Sequence, residues 1–425
     1  MMLLTSASFF FLLLLAVPVA FALGIAASIG LWWGSYPLTI LPQQVYQGVD
    51  SFVLLAVPMF ILAGALMETG GIAVRLVRLA QALVGWMRGG VAMAVVVAEY
   101  IFSGLSGSTI ADVSAIGATM IPPMRRAGFK SEQAVAIVSA ASAMGMLVPP
   151  CILMIVIASI ANVSVSALFL AGFIPAVVLA AFIMGYIYIE ARRSGVAPPA
   201  RPSLAVMWTS FVDALIPLGA PIIVFGGILS GMTTPTESAI LAVVYAAVVG
   251  LFVYREIRWS DLPEILIRSA EVTGAVCFLL GVAGAVAWIL AVQQVPAQLA
   301  AAMVAVPGGA IVFLLLTALL FILLGAVLEG LPAVVILLST FLPVVKQLNI
   351  DIIHYSIVVV AATGIGLFLP PIGVGLFVAC AVAGITMDRV MGAMLPYILF
   401  LCLGLLVVIF FPWLTLVLPR AFGLI

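Results

Sequence analysis

The sequence predicts an all-α integral membrane protein in which two inverted repeats each carry a re-entrant helical hairpin and a broken helix. Three observations carry this expectation. The composition is apolar with few charges, a set of prolines and glycines recurs at one fixed spacing, and short polar, glycine-rich interruptions sit inside otherwise apolar stretches.

Of the 425 residues, 66% are hydrophobic and 7% are charged, against about one half and about one quarter in soluble domains. Hydrocarbon, not water, is the main solvent of such a chain, and the lipid bilayer is its first partner. The runs Phe9 to Trp33, Ala167 to Ile189, Phe211 to Leu229 and Met391 to Leu418 approach or exceed the roughly 20 residues a helix needs to cross it. The first run continues through Leu31 without the short core and small-residue site of a cleaved signal peptide, so it is expected as the first span. A formal net charge of zero gives no long-range attraction to nucleic acid, and no basic cluster is interleaved with aromatics. Cys151, Cys277, Cys380 and Cys402 all lie in apolar stretches and read as small buried hydrophobes, with no disulfide or metal framework. There is no phosphate-cradling glycine-rich motif and no nucleophile with a partner base, so neither ATP hydrolysis nor enzyme activity is expected, and no organic cofactor.

The repeat is legible without gaps. Ile121-Pro122, Gly145, Pro149-Pro150 and Pro175 match Leu342-Pro343, Gly366, Pro370-Pro371 and Pro396, each pair 221 positions apart, as are Gly104 and Gly325. Ala63-Gly64-Ala65 recurs at Ala283-Gly284-Ala285, one residue out of step. The chain therefore divides into an N-terminal span and outer loop (1–50), a first repeat (51–185), central connecting spans (186–271), a second repeat (272–405) and the end of the last span with the C-terminus (406–425).

Nine spans are expected, at about 8–33, 51–67, 131–160, 166–189, 211–231, 236–254, 270–290, 352–383 and 391–418, with re-entrant hairpins at about 91–122 and 310–345. Cytoplasmic loops carry the excess of Lys and Arg. With the N-terminus cytoplasmic and the C-terminus outside, thirteen of fifteen basic residues fall inside, and only Lys346 and Arg420 outside. The arm before the first hairpin holds Arg75, Arg78 and Arg88, whereas the matching arm, Gln293 to Pro307, holds no charge. The repeats are thus expected to be inverted, an arrangement typical of secondary transporters. In the first arm Ile72, Val74, Leu76, Leu79 and Leu83 form an apolar side, and the arginines are expected to reach the headgroups.

The first hairpin tip, Ser103 to Asp112, is polar and glycine-rich. Irregular backbone at membrane depth must be buried in protein or line a wet cavity. A helix ending there offers carbonyls to a cation, and one beginning there offers amides to an anion. Ser103, Ser106 and Ser108 add hydroxyl oxygens; a tight helix contact built on small residues is the alternative. The stretch Ser139 to Gly145 followed by Pro149-Pro150 is read as a broken span, since paired prolines free carbonyls in the preceding turn. Either a bound cation or a kink healed by Ser142 or water satisfies them. Gly364, Gly366, Pro370, Pro371 and Gly373 repeat the pattern. Buried acids are costly and raise a functional hypothesis; Glu99, Asp112, Glu237 and Glu329 are the candidates, with Asp112 and Glu329 near the tips. Asp112 equally suits a helix cap, Glu237 follows Thr-Pro-Thr as at an ordinary helix start, and His354 reads as a boundary residue.

With these residues in place, the chain resembles the large membrane subunit of tripartite ATP-independent periplasmic (TRAP) transporters. The matching stretches are Leu54 to Gly64, Arg88-Gly89-Gly90, Ser106-Gly107-Ser108 with Ala111-Asp112, Thr234-Pro235-Thr236-Glu237 leading to Tyr245, Ile372-Gly373 after Pro370-Pro371, and Leu376 to Ala379. The resemblance spans about 20–423. It implies an elevator-type fold of the ion-transporter superfamily in the bacterial inner membrane, driven by sodium. It also implies a small membrane subunit and a periplasmic substrate-binding protein that delivers a small organic acid. Ser103, Gly104, Ser142, Gly145, Pro149, Gly325, Gly364, Gly366 and Leu367 are then expected to hold sodium. Ser106, Ser108, Thr109, Asp112, Gly330 and Pro371 are expected to meet the solute. The chain departs from the family pattern at Ala362, Leu369 and Cys151, which lack side-chain hydroxyl or amide oxygens, and at Ala65, where an acid is common. A self-sufficient carboxylate exchanger and a non-transporting membrane scaffold are the competing readings.

Overall fold

Among the described residues the chain forms twenty α-helices and no strand, and the fixed spacing seen in the sequence reappears in their order. The computed structural model describes residues 2–193, 201–304, 306–328 and 330–425, and only the backbone of residues 2, 3, 105, 106 and 304. Glu329 lies outside the described residues, and so does the side chain of Ser106.

The first repeat runs through α4 (Ala56–Thr69), α5 (Ile72–Val84), α6 (Gly90–Ser106), α7 (Thr109–Arg126), α8 (Ser131–Gly145), α9 (Ile152–Ala161) and α10 (Val165–Arg193). The second runs through α13 (Leu262–Val292), α14 (Val295–Val304), α15 (Gly309–Leu328), α16 (Leu331–Gln347), α17 (Ile352–Leu367), α18 (Val374–Ala383) and α19 (Met387–Phe410). Adding 221 to the bounds of α8 gives 352–366 against the observed Ile352–Leu367, and doing so for α9 gives 373–382 against Val374–Ala383. Both expected hairpins, α6–α7 and α15–α16, and both breaks, α8–α9 and α17–α18, are present. Each break contains a cis Pro-Pro peptide bond, at Pro149-Pro150 and Pro370-Pro371.

Two connecting helices, α11 (Leu204–Leu229) and α12 (Pro235–Val248, continued by a π turn to Val253), separate the repeats. Between equivalent points of the repeats the chain crosses by α4, by the α8–α9 pair, by α10, by α11 and by α12. That odd number turns the second repeat upside down relative to the first. Packing follows the same pseudo-symmetry: α7 lies on α18, and correspondingly α16 lies on α9.

The expected single span at 8–33 is corrected. The segment is two helices, α1 (Met2–Leu14) and α2 (Val19–Trp33), folded against each other. Ala16 takes a positive φ of 58°, and Pro18 has no amide to donate and disfavours helix at Val17. The two arms run antiparallel, so that a Cβ on Gly30 would meet Thr5. The ends of the segment therefore share one face, and an N-terminus opposite the 34–50 loop does not follow. That loop carries α3 (Ile40–Val49), which lies along α13.

The arm α5 buries Ile72, Leu76 and Leu79, but Val74 and Leu83 are exposed, so its inward face is narrower than expected. Nor is Arg75 left to the headgroups: it pairs with Glu256 at 3.0 Å and stacks over the Tyr254 ring at 3.6 Å. A glycine is required at the start of this arm, because Gly71 has φ 71° and the Glu256 carboxylate occupies the space a side chain would need. A short helix, α20 (Trp413–Ala421), ends the chain. It meets His354, which is buried, not at a boundary, with Nδ1 3.0 Å from Thr415 Oγ1.

Candidate functional site

The first hairpin turns at Gly107, whose φ of 63° only glycine adopts without penalty. Ser108 then caps α7 by accepting from the Ala111 amide at 3.5 Å. About one and two turns before the tip, α6 presents Ser103 and Glu99 on one face, four residues apart. Both are buried, as are Asp112 and Ser142.

These four side chains form one connected group. Ser103 Oγ donates to Asp112 Oδ2 at 2.6 Å and lies 3.4 Å from Glu99 Oε2. On its other side the Glu99 carboxylate accepts from the Ser142 hydroxyl through Oε1. A single serine oxygen therefore stands between two carboxylates. Two carboxylates held this way in a low-dielectric interior call for a positive partner, a proton or a metal cation, because burying charge without compensation is expensive.

The break in the first repeat closes on the same group. A Cβ on Gly145 would fall 2.2 Å from Ser103 Oγ and 3.9 Å from Asp112 Oδ2. The Pro149 carbonyl is 2.9 Å from where a Cβ on Gly104 would lie, and the Pro150 carbonyl is 3.4 Å from that of Gly107. The carbonyls of the two prolines themselves thus face the hairpin tip, whereas in the preceding turn those of Met144 and Gly145 accept from the Leu147 and Val148 amides; side chains are excluded so that backbone can approach backbone. Ser103, Gly104, Ser142, Gly145 and Pro149, expected from the sequence as cation donors, are brought together.

The second repeat builds a counterpart without side-chain acids among the described residues. Its hairpin turns at Gly330, with φ 76°. A Cβ on Gly325 would lie 3.0 Å from the Thr363 carbonyl, and one on Gly330 2.9 Å from Thr363 Cγ2. The Thr363 hydroxyl is turned onto the Val359 carbonyl. Gly366 packs on the Ile322 carbonyl, and the Leu367 carbonyl turns toward Gly373. Gly364 abuts the Ala143 carbonyl and Met146, and Met146 also approaches Gly330. The two breaks therefore touch, and the second hairpin tip closes over their contact.

The residues expected to meet the solute are less concentrated. Asp112 faces Ser103 and Gly145, with the cation donors. Ser108 and Thr109 are half-buried at the start of α7, Gly330 is buried beside Thr363, and Pro371 is exposed. Sequence reasoning named Glu99 as a buried acid but did not attach it to the tip, and it missed Thr363 and Met146. The four-residue spacing from Glu99 to Ser103 was the available signal. Glu237 serves as the N-terminal cap partner of α12, accepting from Thr234 N at 2.7 Å.

Comparisons with known proteins agree with this architecture. The family model described as "Tripartite ATP-independent periplasmic transporter, DctM component" matches residues 6–414. The C4-dicarboxylate TRAP transporter large permease protein of Pseudomonas aeruginosa is 38% identical over 381 residues, covering 90% of this chain and 89% of that protein. The isethionate TRAP transporter permease protein DctMQ of Oleidesulfovibrio alaskensis is 34% identical, covering 94% of this chain and 63% of its own length. Among solved structures, the YdaH transporter of Alcanivorax borkumensis superposes with a TM-score of 0.62 at 18% identity, over 88% of this chain and 87% of that one, a likeness of fold alone. The chain belongs to the tripartite ATP-independent periplasmic transporter family, as its large permease component.

Proposed function

We propose that this chain is the translocating subunit of a sodium-coupled importer of a small organic acid in the bacterial inner membrane. The observation that carries this reading is the Glu99–Ser103–Asp112–Ser142 group, sealed between a hairpin tip and a helix break. Sodium suits the donors available: carboxylate, hydroxyl and backbone carbonyl oxygens. The matching carbonyl-rich break at Gly364, Gly366 and Leu367 is the second candidate cation position. Between them, the first amides of α7 ahead of the Ser108-capped turn, and those of Leu331 and Ala333 on either side of Pro332 in α16, are positioned to receive an anionic group of the solute, as helix N-termini do.

Movement follows from the inversion. Two hairpins and two broken helices form one body, and the arms with α4, α11, α12 and α13 form a frame beside it. Elevator-type sliding of the first past the second exposes the tips to alternate faces. Basic residues of the α5 arm and of the α7–α8 turn favour the cytoplasmic side. The 34–50 loop then faces the periplasm, and the doubled-back α1–α2 segment brings the N-terminus to the same side.

The relatives compared are named for different solutes, a C4-dicarboxylate and isethionate, so the solute is assigned here only as a small organic acid. A periplasmic binding protein delivers it, and a small membrane subunit completes the frame. Reconstitution of the chain with its small subunit and binding protein into vesicles tests the whole reading. Uptake is expected only with an inward sodium gradient and only with the binding protein present. Uptake by the chain alone, or with sodium equal on both sides, would overturn it.

A further inference from the structure

Two cavities meet at one side chain of the second hairpin, about ten residues or roughly 15 Å of helix from its tip. The first, about 370 Å³, lies between the N-terminal α1–α2 hairpin, α13, α14 and both arms of the second hairpin. Its walls are mostly hydrocarbon, among them Phe9, Leu23, Leu290, Leu299 and Leu337, with Thr5, Ser6 and Thr340 the polar exceptions. The second, about 380 Å³, lies between α3, α13 and α16 and is lined by Gln44, Gln47, Trp288 and Ser339 with no charged side chain.

Thr340 lines both. It is 4% exposed, and its Oγ1 has no hydrogen-bond partner within the protein. A buried hydroxyl left unsatisfied is costly, and it stands at the seam between an oily chamber and one that also presents amide, indole and hydroxyl groups. An organic acid would not enter the oily half, and water does not fill cavities of that kind. A purely apolar occupant would leave Thr340 and the amides beyond it unused. An amphiphile satisfies both.

We propose that this paired cavity binds a membrane glycerophospholipid, with one acyl chain in the apolar chamber and an ester carbonyl accepting from Thr340. The glycerol and headgroup then lie among Gln44, Gln47 and Trp288, whose donors suit ester and phosphate oxygens without a charged partner. Phe10, at the mouth of the apolar chamber, is 52% exposed. With Phe21 and Ile25 also exposed on the neighbouring α2, the entrance opens onto the bilayer, where such lipids are the surrounding solvent. The lipid bridges the N-terminal hairpin and α13 on one side and the α15–α16 hairpin on the other.

The test is independent of transport. The purified protein is reconstituted into phosphatidylethanolamine and phosphatidylglycerol vesicles doped with a phospholipid carrying a photoactivatable acyl chain, and the labelled residues are mapped after illumination. Labelling at Leu299 and Leu337 is expected to be at least five-fold above that at Leu215 and Ile222, which are exposed on α11. Ala333→Trp, which fills the chamber, is expected to abolish the excess. Thr340→Val, of nearly equal size, is expected to reduce it about five-fold at unchanged melting temperature in detergent. Labelling no higher than on α11, or undiminished in Ala333→Trp, overturns the proposal. Should Ala333→Trp fail to fold, undiminished labelling of Thr340→Val overturns it alone.

Discussion

Gly145, at the end of α8, approaches Ser103 of the first hairpin so closely that a Cβ on the glycine would lie 2.2 Å from the serine hydroxyl. The helix break and the hairpin tip are therefore one structural unit, and the bond from Ser103 to Asp112 depends on the absence of a side chain at residue 145.

Gly145→Ala should push Ser103 off Asp112. Overpacking of this kind costs about 1–3 kcal/mol, and sodium-dependent uptake should fall at least ten-fold. Gly185→Ala, within α10 where nothing lies within 4 Å of the added methyl, is the control and should stabilise by about 0.5–1 kcal/mol. Equal uptake by the two variants would remove the assigned role of the contact.

Ser103→Ala removes the hydroxyl that stands between Glu99 and Asp112. A hydrogen bond to a charged group contributes about 1.5–3 kcal/mol, and each 1.4 kcal/mol is about ten-fold in affinity. The sodium concentration for half-maximal uptake should rise about ten-fold or more, with the protein still in the membrane fraction. An unchanged half-saturation would show that Ser103 does not serve the cation.

Glu99→Gln keeps the shape and an acceptor for Ser142 while deleting a charge. A buried carboxylate is costly until a cation joins it, and a ligand that binds only the folded state stabilises it. In sodium-free buffer the variant should melt above the parent protein, and added sodium should shift its melting temperature far less. A sodium-induced shift as large as the parent's would place the cation elsewhere.

Arg389 of α19 pairs with Glu132 of α8, joining the repeats, but the arginine side chain is 63% exposed. Exposed pairs contribute about 0–1 kcal/mol, so Arg389→Ala should change stability by less than that. Tyr397 is buried and donates to Glu190 Oε2 at 2.6 Å, while Gln133 donates to the same carboxylate at 2.8 Å. Tyr397→Phe should cost about 1.5–3 kcal/mol, as befits a bond to a charged group. Chemical unfolding in detergent, comparing both variants, checks the order.

Several elements were legible because they depend on local chemistry. Paired prolines and the glycines before them located both breaks, since proline cannot donate and glycine permits close approach. The 221-residue spacing located both hairpins, and an odd number of crossings made their inversion follow from counting. The N-terminal segment was not legible by length, because an apolar stretch of that size suits one span or two folded arms equally. Only the turn at Ala16-Val17-Pro18 distinguishes them, and its positive φ belongs to the folded chain.

The site divides in the same way. By itself the sequence determined the solvent, the duplication and the presence of interrupted backbone with nearby acids. Tertiary structure alone decided which groups meet: Glu99 finds Ser142 across 43 positions, and Gly364 of one repeat finds Ala143 of the other. The physical reason is that a buried polar group must be satisfied, but residues distant in the chain can satisfy it, and helix packing chooses among them.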